Sequence, residues 1–434
     1  MSNSRLATSQ EDWQAARSPD GNPDLNLEYV KIGTDEGAFH PVFLRDACPC
    51  PKCIDSSTTQ KLFQTTDIPA HITAESVNVQ ENGDVTIKWK NDLPASGPDH
   101  ISTYSASLIK MCSNRTLRLK GHFSAGKARI WDNSRISEEL EFVNFDDYME
   151  DDKYLFRAVA QLKRLGLLLV RNVPESEEAV AQIAERIGTI RDTFYGRTWN
   201  VKSVPEAKNV AYTHQSLGLH MDLQYMHNPP GFQLLHCLKN TCEGGDSLFS
   251  DAFYAASRLS ERDVMTLTRT NLAYQYRNAG EHYYMERPVL EVGDMKLQTP
   301  GGLHSRIEAV NYSPPFQAPL PISKAHQGYL VPRMLEALRQ FARNVESPYL
   351  VHRYRLKAGE CVMFNNRRVL HGRDAFEPGN GERLLKGTYL DTDVLNSKWR
   401  TLNKQFNGVQ PAFDDGQHVY PENWEKRVGG RFAQ

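Results

Sequence analysis

The sequence lacks both a long apolar run and a strong charge of one sign. Its 434 residues carry 51 basic and 53 acidic side chains, a formal net charge of −2, and no long basic block. This balance gives no reason to expect nucleic acid or an anionic membrane as a partner. The longest apolar run, around residues 166–170, is far too short to span a bilayer, so we expect no membrane segment.

The N-terminus also lacks the features of a targeting peptide. It has no apolar h-region, and it carries Glu11 and Asp12, which a transit peptide would usually avoid. We therefore expect a cytoplasmic protein and disfavour a mitochondrial one. Because residues 18–23 are rich in turn formers, we interpret residues 1–27 as a polar leader.

Cysteine is scarce and unevenly distributed. There are seven cysteines, and Cys48, Cys50 and Cys53 fall within six residues of one another. An odd, clustered set without a secretory signal argues against a disulfide framework and indicates a metal site plus reduced thiols. Tetrahedral zinc would need a fourth ligand, for which His71 and His100 are the nearby histidines. The alternative is a reduced, redox-active thiol cluster.

Short β-like segments outnumber helical ones. In residues 84–90, hydrophobic alternation places Val85, Ile87 and Trp89 on one face of a predicted strand. Helical periodicity is confined to three stretches, which are residues 155–166, a segment from near residues 174–176 to Gly188, and one starting at Pro332. This pattern favours a mainly β fold with flanking helices, in which a double-sheet barrel has helices packed outside.

The same pattern divides the chain into parts. We expect a small N-terminal domain at residues 28–132, which contains the cysteine cluster, and a larger domain at residues 133–405. Residues 406–434 would form a C-terminal extension.

An H-x-D pair, His220 and Asp222, could supply two ligands of a metal site, although among fourteen histidines such a pair can also arise by chance. On a strand, residues two apart point to the same face, so both could reach one ion. His371, which follows a β-like run ending at Phe364, would complete a set of two histidines and one carboxylate. Such a set leaves coordination positions open and is typical of iron(II) oxygenases. Other histidines remain possible ligands at this point: His214, His227, His236 and His304.

Arg383 indicates what else would bind at such a metal. It lies twelve residues beyond His371, next to a predicted strand at residues 386–391. A guanidinium there could hold a carboxylate through two hydrogen bonds, as the distal carboxylate of 2-oxoglutarate would require. Together with an iron(II) site, Arg383 would indicate 2-oxoglutarate as co-substrate; the alternative for Arg383 alone is an ordinary surface charge.

Several segments together carry a family resemblance. They are Gly218-Leu-His-Met-Asp-Leu, Asn228-Pro-Pro-Gly, Gln233-Leu-Leu-His-Cys-Leu, Gly244-Gly-Asp-Ser and the cysteine cluster, in this order. With them, residues 28–405 resemble the iron/2-oxoglutarate oxygenases of the taurine dioxygenase-like superfamily. More narrowly, they resemble the γ-butyrobetaine dioxygenase and trimethyllysine dioxygenase family of carnitine biosynthesis.

The resemblance implies a fold and a set of ligands. The fold would be a double-stranded β-helix (jelly-roll) core with an N-terminal zinc-bearing domain. His220, Asp222 and His371 would bind iron, and Arg383, helped by Ser247, would bind 2-oxoglutarate. His100 would join Cys48, Cys50 and Cys53 around a structural zinc ion. The family also implies ascorbate as an activator and a homodimer.

The resemblance further implies a substrate with a trimethylammonium group. Such a cation has no N–H donor and is held by aromatic faces. The positions that match the family's aromatic cage are Tyr195, Trp199, Tyr212 and Tyr389. Asn209 and Asn311 match asparagines that meet the substrate carboxylate.

Three readings of the function follow from these residues. Hydroxylation of γ-butyrobetaine to L-carnitine is the first, and hydroxylation of trimethyllysine, or of another cationic or carboxylate metabolite, is the second. The third is a catalytically inactive module that binds methyl-lysine. The intact set of His220, Asp222, His371 and Arg383 argues against the third reading.

Overall fold

The chain consists of two compact units, Met1–Ala125 and Gly126–Gln434. The computed structural model describes residues 29–32, 37–113, 128–202, 214–293, 307–322, 328, 330–377 and 381–406. The expected domain limits stay predictions, because residues 114–127, the leader and almost all of the C-terminal extension lie outside the described residues. Among the described helices, none is long and apolar enough to cross a membrane.

The first unit is a small β domain. Its strands are β1 (Val30–Lys31), β2 (Ala38–Phe39), β3 (Thr73–Val79), β4 (Val85–Lys90) and β5 (Ile101–Tyr104). Strands β3, β4 and β5 form an antiparallel sheet in that order, and β1 pairs with β2. The predicted alternation on β4 is confirmed, since Val85, Ile87 and Trp89 are all buried. Two short helices complete the described part, α1 (Pro41–Asp46) and α2 (Ala106–Cys112).

Two sheets form the core of the second unit. The larger has six strands: β6 (Phe142–Asn144), β7 (Leu167–Arg171), β8 (Trp199–Lys202), β10 (Phe232–Asn240), β17 (Glu360–Asn365) and β19 (Arg383–Leu390). The smaller has four: β9 (Leu217–His220), β11 (Ser247–Asp251), β16 (His352–Tyr354) and β18 (Val369–Arg373). Their orders are β6-β7-β17-β10-β19-β8 and β16-β11-β18-β9.

The inner faces of these sheets pack on each other. Phe249 of β11 meets Phe364 of β17 with 5.7 Å between ring centroids. Strand residues alternate between the two faces, so Val362 joins this inner cluster while its neighbours Cys361 and Met363 face outward. The expected double-stranded β-helix core is confirmed.

Helices cover the outer face of the six-stranded sheet. The helices of the second unit are α3 (Asn133–Glu139), α4 (Phe145–Glu150), α5 (Asp152–Leu165), α6 (Ala179–Ile187), α7 (Ala252–Ser257), α8 (Glu261–Arg269), α9 (Leu330–Val345) and α10 (Thr392–Gln405). Buried side chains of α5, α6 and α10 share one cluster with the outward residues of β10 and β17. The three predicted helices are confirmed as α5, α6 and α9, although α6 starts at Ala179, a few residues later than expected. At the end of α5, Gly166 has a φ of 73°, a left-handed conformation that closes the helix.

Two further strand pairs lie beside the core. They are the hairpin of β12 (Asn271–Asn278) with β13 (Glu281–Pro288), and β14 (Leu290–Val292) with β15 (Ile307–Val310). Tyr276 and Tyr283, which are directly opposite on the hairpin, both contact the ring of Phe194. The hairpin thereby places two tyrosine rings against Phe194.

Candidate active site

Strand pairing brings the three predicted iron ligands together. His220 ends β9 and lies directly opposite His371 on β18, with 4.2 Å between the ring centroids. The Nε2 atoms of His220 and His371 lie 3.3 and 4.0 Å from Oδ1 of Asp222. These three side chains form one of the two groups in the described residues that could hold a metal ion.

Asp222 reaches this position differently from the expectation. The H-x-D spacing predicts that both residues lie on one strand, but β9 ends at His220. Beyond it, Leu223 has a φ of 58°, a left-handed conformation that is uncommon for a residue with a side chain. The carboxylate therefore converges with the histidines through a turn and not through strand alternation.

Asn366 holds the backbone of Asp222 in this turn. The Asp222 N–H donates to Asn366 Oδ1 over 2.8 Å, and Asn366 Nδ2 donates to the carbonyl of Asp222 over 3.0 Å. Asn366 is fully buried and also donates to the Pro230 carbonyl. Sequence reasoning missed this residue, because its role depends on a contact 144 positions away.

The protonation states suit a metal. Nδ1 of His220 lies 2.8 Å from the Gly218 carbonyl, to which it can donate, leaving Nε2 free for an ion. Burial, aided by His220, lowers the pKa of His371 to about 3, so its imidazole is neutral. Burial alone would raise the pKa of Asp222, but the electrostatic interactions within this group and the hydrogen bond from Tyr389 hold it below its usual range, so the carboxylate is charged.

A cavity lies next to the three candidate metal ligands. Its walls contain all three candidate ligands and both predicted co-substrate contacts, Arg383 and Ser247. Strand β19 runs along it, and Arg383, Leu385 and Tyr389 face inward at alternate positions. Six residues at about 3.3 Å each separate Arg383 from Tyr389 along the strand by roughly 20 Å. The guanidinium and the tyrosine ring therefore lie toward opposite ends of the same wall.

Positive charge is concentrated at the Arg383 end. Arg373, two residues after His371 on β18, also faces the cavity, and both guanidiniums pack on the ring of Phe376. Among the described residues, no carboxylate lies within salt-bridge distance of Arg383, which is 7% exposed. Burial lowers the pKa of Arg383, and burial together with Arg383 lowers the pKa of Arg373 to about 10. A buried anion would relieve both effects.

Aromatic rings form the other end. Trp199 stacks on Tyr389 with 4.2 Å between centroids, and Tyr195 lies 5.9 Å from Trp199. A Cβ atom at Gly387 would lie 2.6 Å from the Trp199 ring, so only glycine leaves room for this stack. Tyr225 and Phe316 also line the cavity. Sequence reasoning missed them, although Tyr225 lies only three residues after Asp222.

Of three further predicted substrate contacts, the structure describes only one. Tyr212 and Asn209 lie outside the described residues. Asn311 is fully buried elsewhere, and its side chain donates to Pro288 O and Glu291 and accepts from Arg367. Its hydrogen bonds are thus used inside the protein, and the expected role of Asn311 in binding the substrate is not supported by its position.

The first unit holds the second group that could bind a metal, Cys48, Cys50, Cys53 and His100. His100 Nε2 lies 3.6, 3.4 and 3.4 Å from the three sulfurs. A tetrahedral zinc ion with Zn–S of about 2.3 Å and Zn–N of about 2.0 Å would separate sulfur and nitrogen by about 3.5 Å. The four side chains therefore fit a closed zinc site.

A buried polar network surrounds this cluster. His100 Nδ1 lies 2.6 Å from Asp92 Oδ2, and the fully buried Arg45 donates to Asp92 Oδ1 and to Cys53 Sγ. Carboxylates that accept from a ligating histidine fix its ring and tautomer. His71, the other nearby histidine, is exposed and does not belong to this group. The choice of His100 as the fourth zinc ligand therefore agrees with the geometry.

Comparisons with known proteins define the class. Residues 132–389 match the model of the taurine catabolism dioxygenase TauD, TfdA family, and residues 25–107 match the γ-butyrobetaine hydroxylase-like N-terminal model. The chain belongs to the TauD/TfdA family and is an iron(II)- and 2-oxoglutarate-dependent dioxygenase. The resemblance seen in the sequence segments is confirmed.

Three relatives are similar to this chain over more than 80% of its length. The chain is 38% identical over 377 residues to dioxygenase str8 of Strobilurus tenacellus, covering 83% of this chain and 84% of that protein. It is 29% identical to the γ-butyrobetaine dioxygenase of Pseudomonas sp. (strain AK-1), covering 84% and 91%. It is 30% identical to the mitochondrial trimethyllysine dioxygenase of Mus musculus, covering 83% and 82%.

Proposed function

We propose that this enzyme hydroxylates a substrate carrying a trimethylammonium group, with γ-butyrobetaine, converted to L-carnitine, as the first candidate. The observation that carries the proposal is the wall of Tyr195, Trp199 and Tyr389 in the cavity that also contains the candidate metal ligands. Tyr212, outside the described residues, would complete the cage.

His220, Asp222 and His371 would hold iron(II). Two imidazole nitrogens and one carboxylate oxygen are the donor set of non-haem iron oxygenases, and all three line the cavity. The metal with bound 2-oxoglutarate supplies the activation of oxygen. The protein's part is to position the reactants and to exclude water.

Arg383 would bind the distal carboxylate of 2-oxoglutarate. Its buried guanidinium needs an anion, and Ser247 lines the same cavity directly opposite Arg373 on the neighbouring strand. Arg373 adds a second positive charge at this end, which suits a co-substrate with two carboxylates.

The aromatic end would hold the substrate cation. A quaternary ammonium group cannot donate a hydrogen bond, and each ring face contributes about 0.5–2 kcal/mol. Asp222 lies beside this wall, since the Tyr389 hydroxyl donates to it, so the cation would rest between aromatic faces close to the metal group. The ring faces favour a cation over a neutral group of the same shape.

Trimethyllysine is the second candidate substrate. It presents the same cation, and the matching enzyme of Mus musculus is as similar to this chain as the γ-butyrobetaine enzymes are. A methyl-lysine-binding module without catalysis is disfavoured, because such a module would need the aromatic wall but not the metal group.

The cluster in the first unit would bind structural zinc. Cys48, Cys50, Cys53 and His100 leave no open coordination position, so water could not be activated there.

One assay separates these candidates. The enzyme with iron(II), ascorbate and 2-oxoglutarate is incubated with γ-butyrobetaine or trimethyllysine, and succinate and hydroxylated product are measured by mass spectrometry. We expect γ-butyrobetaine to stimulate succinate formation in step with hydroxylated product. Stimulation by trimethyllysine alone would move the assignment to the second candidate, and stimulation by neither would refute the proposal.

A further inference from the structure

Tyr389 takes part in two sites at once. Its ring stacks on Trp199 and lines the cavity, while its hydroxyl donates to Asp222 Oδ2 over 2.7 Å. The side chain is only 1% exposed. The ring therefore belongs to the aromatic wall, and the hydroxyl belongs to the surroundings of the candidate metal.

The two oxygens of Asp222 have separate environments. Oδ1 faces the Nε2 atoms of His220 and His371, at 3.3 and 4.0 Å. Oδ2 accepts the hydrogen bond from Tyr389. A carboxylate held in this way offers one oxygen to an ion and keeps the other turned away, which leaves more coordination positions open for co-substrate and oxygen.

Backbone and side chain of Asp222 are anchored independently. Asn366 fixes the peptide groups on both sides through two hydrogen bonds. Those bonds leave the rotation of the carboxylate free. Outside the three candidate metal ligands, Tyr389 is the described residue that hydrogen-bonds to the carboxylate and restrains it.

The position of the Tyr389 hydroxyl is itself fixed by the wall. Tyr389 lies near the end of β19 and opposite Gln233 of β10, so its backbone is held in the sheet. The stacked Trp199 restrains the ring from its face. A rigid ring places a rigid donor, which is what an outer partner of a metal ligand requires.

We propose that Tyr389 is a positioning residue for the metal as well as a wall of the cation site: its hydroxyl sets the orientation in which Asp222 binds the ion. This inference rests on the proposed function, in which His220, Asp222 and His371 hold the metal. The family's cage assigns only the ring to substrate binding.

The test separates the hydroxyl from the ring. Tyr389→Phe removes the hydroxyl and keeps the ring, whereas Tyr389→Leu removes both. Tyr148→Phe is the matched control, because Tyr148 is fully buried and its hydroxyl makes one hydrogen bond, to the Ile183 carbonyl, away from the cavity. Manganese(II) serves as the metal probe, since thiolate clusters bind it poorly and the cysteine group will not compete.

Two affinities are measured for each variant. Free manganese(II) is followed by electron paramagnetic resonance during titration of the protein stripped of iron, and γ-butyrobetaine binding is measured by calorimetry on the manganese- and 2-oxoglutarate-loaded protein. For Tyr389→Phe we expect manganese affinity to fall about 10-fold or more, as for the loss of other outer partners of metal ligands. Saturated with manganese, this variant should bind γ-butyrobetaine within about twofold of the wild type, because the ring remains.

The two remaining variants and the wild type complete the test. Tyr389→Leu should lose affinity for both ligands, and Tyr148→Phe should match the wild type for both. Wild-type manganese affinity in Tyr389→Phe would overturn the inference and leave the proposed function standing. A wild-type protein that binds no manganese would instead overturn the metal site on which both depend.

Discussion

The chain contains two groups of metal-binding side chains that differ in how they are closed. In the first unit, Cys48, Cys50, Cys53 and His100 surround one point, and the buried Arg45 and the partly buried Asp92 hydrogen-bond to members of this group. In the second unit, His220, Asp222 and His371 occupy one side only, and the other side is a cavity. Closure predicts a metal that stabilises the fold, and an open side predicts one that meets substrates.

The outer partners of the two groups differ as well. Around the cysteine cluster they are charged, with an arginine and an aspartate that compensate each other and the thiolates. Around the histidine group they are neutral, namely Asn366 on the backbone and Tyr389 on the carboxylate of Asp222. The Asp222 carboxylate thereby keeps its negative charge for a metal ion.

The largest expected effect is on catalysis at the open site. His371→Ala should reduce turnover to background, because two ligands cannot hold iron(II) firmly, and should leave the melting temperature within a few degrees of the wild type. Succinate formation and thermal unfolding measure the two effects. His214→Ala is the control, since His214 is exposed and was an alternative ligand in the sequence. Turnover retained by His371→Ala would remove His371 from the iron site.

At the closed site, the expected effect is on stability. Cys50→Ala should abolish the binding of one zinc per chain and lower the unfolding temperature of the first unit by about 10 °C or more, because metal binding there is folding energy. Metal analysis and calorimetry of the full chain test this. Cys112→Ala provides a cysteine outside the cluster for comparison. Full zinc content in Cys50→Ala would contradict the assignment of the cysteine cluster as a closed zinc site.

Arg383 tests the anion end of the open site. Arg383→Met should raise the Michaelis constant for 2-oxoglutarate on the order of 100-fold, because a desolvated charge pair typically contributes 2–5 kcal/mol or more when one partner is removed. The Michaelis constant for the substrate should change far less. Arg353→Met, at an exposed arginine of β16, is the matched control. Similar rises for both ligands would indicate a general disturbance of the cavity.

Replacement of Gly387 should have the smallest and most selective effect on the kinetic constants. Gly387→Ala places a methyl group against the Trp199 ring, which must shift out of its stack with Tyr389. We expect the Michaelis constant for γ-butyrobetaine to rise several-fold, about the contribution of one ring face, with that for 2-oxoglutarate unchanged. An unchanged constant for γ-butyrobetaine would argue against Trp199 as part of the cation site.

Much of the fold could be predicted because its signals are local. Val85, Ile87 and Trp89 alternate within one strand, and the end of α5 is marked by Gly166. The start of α6 was less accurate, since Pro174 and Ser176 favour either a helix start or the turn that precedes it. Cellular location and homodimer formation are not tested by the fold and stay predictions.

The residues of the candidate site could be predicted where the spacing of polar residues and the family resemblance indicate the same positions. They selected His220, Asp222, His371, Arg383 and the cysteine cluster with His100, and the structure gathers each set. Asn366, Phe316 and the hydrogen bond from Tyr389 to Asp222 were missed, because tertiary contacts create them and no local pattern announces them. Asn311 shows the converse, as a matched residue whose hydrogen bonds are used within the protein.

Hydroxylation directed by a trimethylammonium group can be tested by one comparison of substrates. γ-Butyrobetaine is compared with 5,5-dimethylhexanoate, which has the same shape but a neutral carbon in place of the charged nitrogen, and hydroxylated product is measured at equal concentrations. We expect product from γ-butyrobetaine and a loss of roughly 10-fold or more in catalytic efficiency with the neutral compound, since several ring faces bind only the cation strongly. Equal efficiency with the two compounds, or product from the neutral one alone, would contradict it.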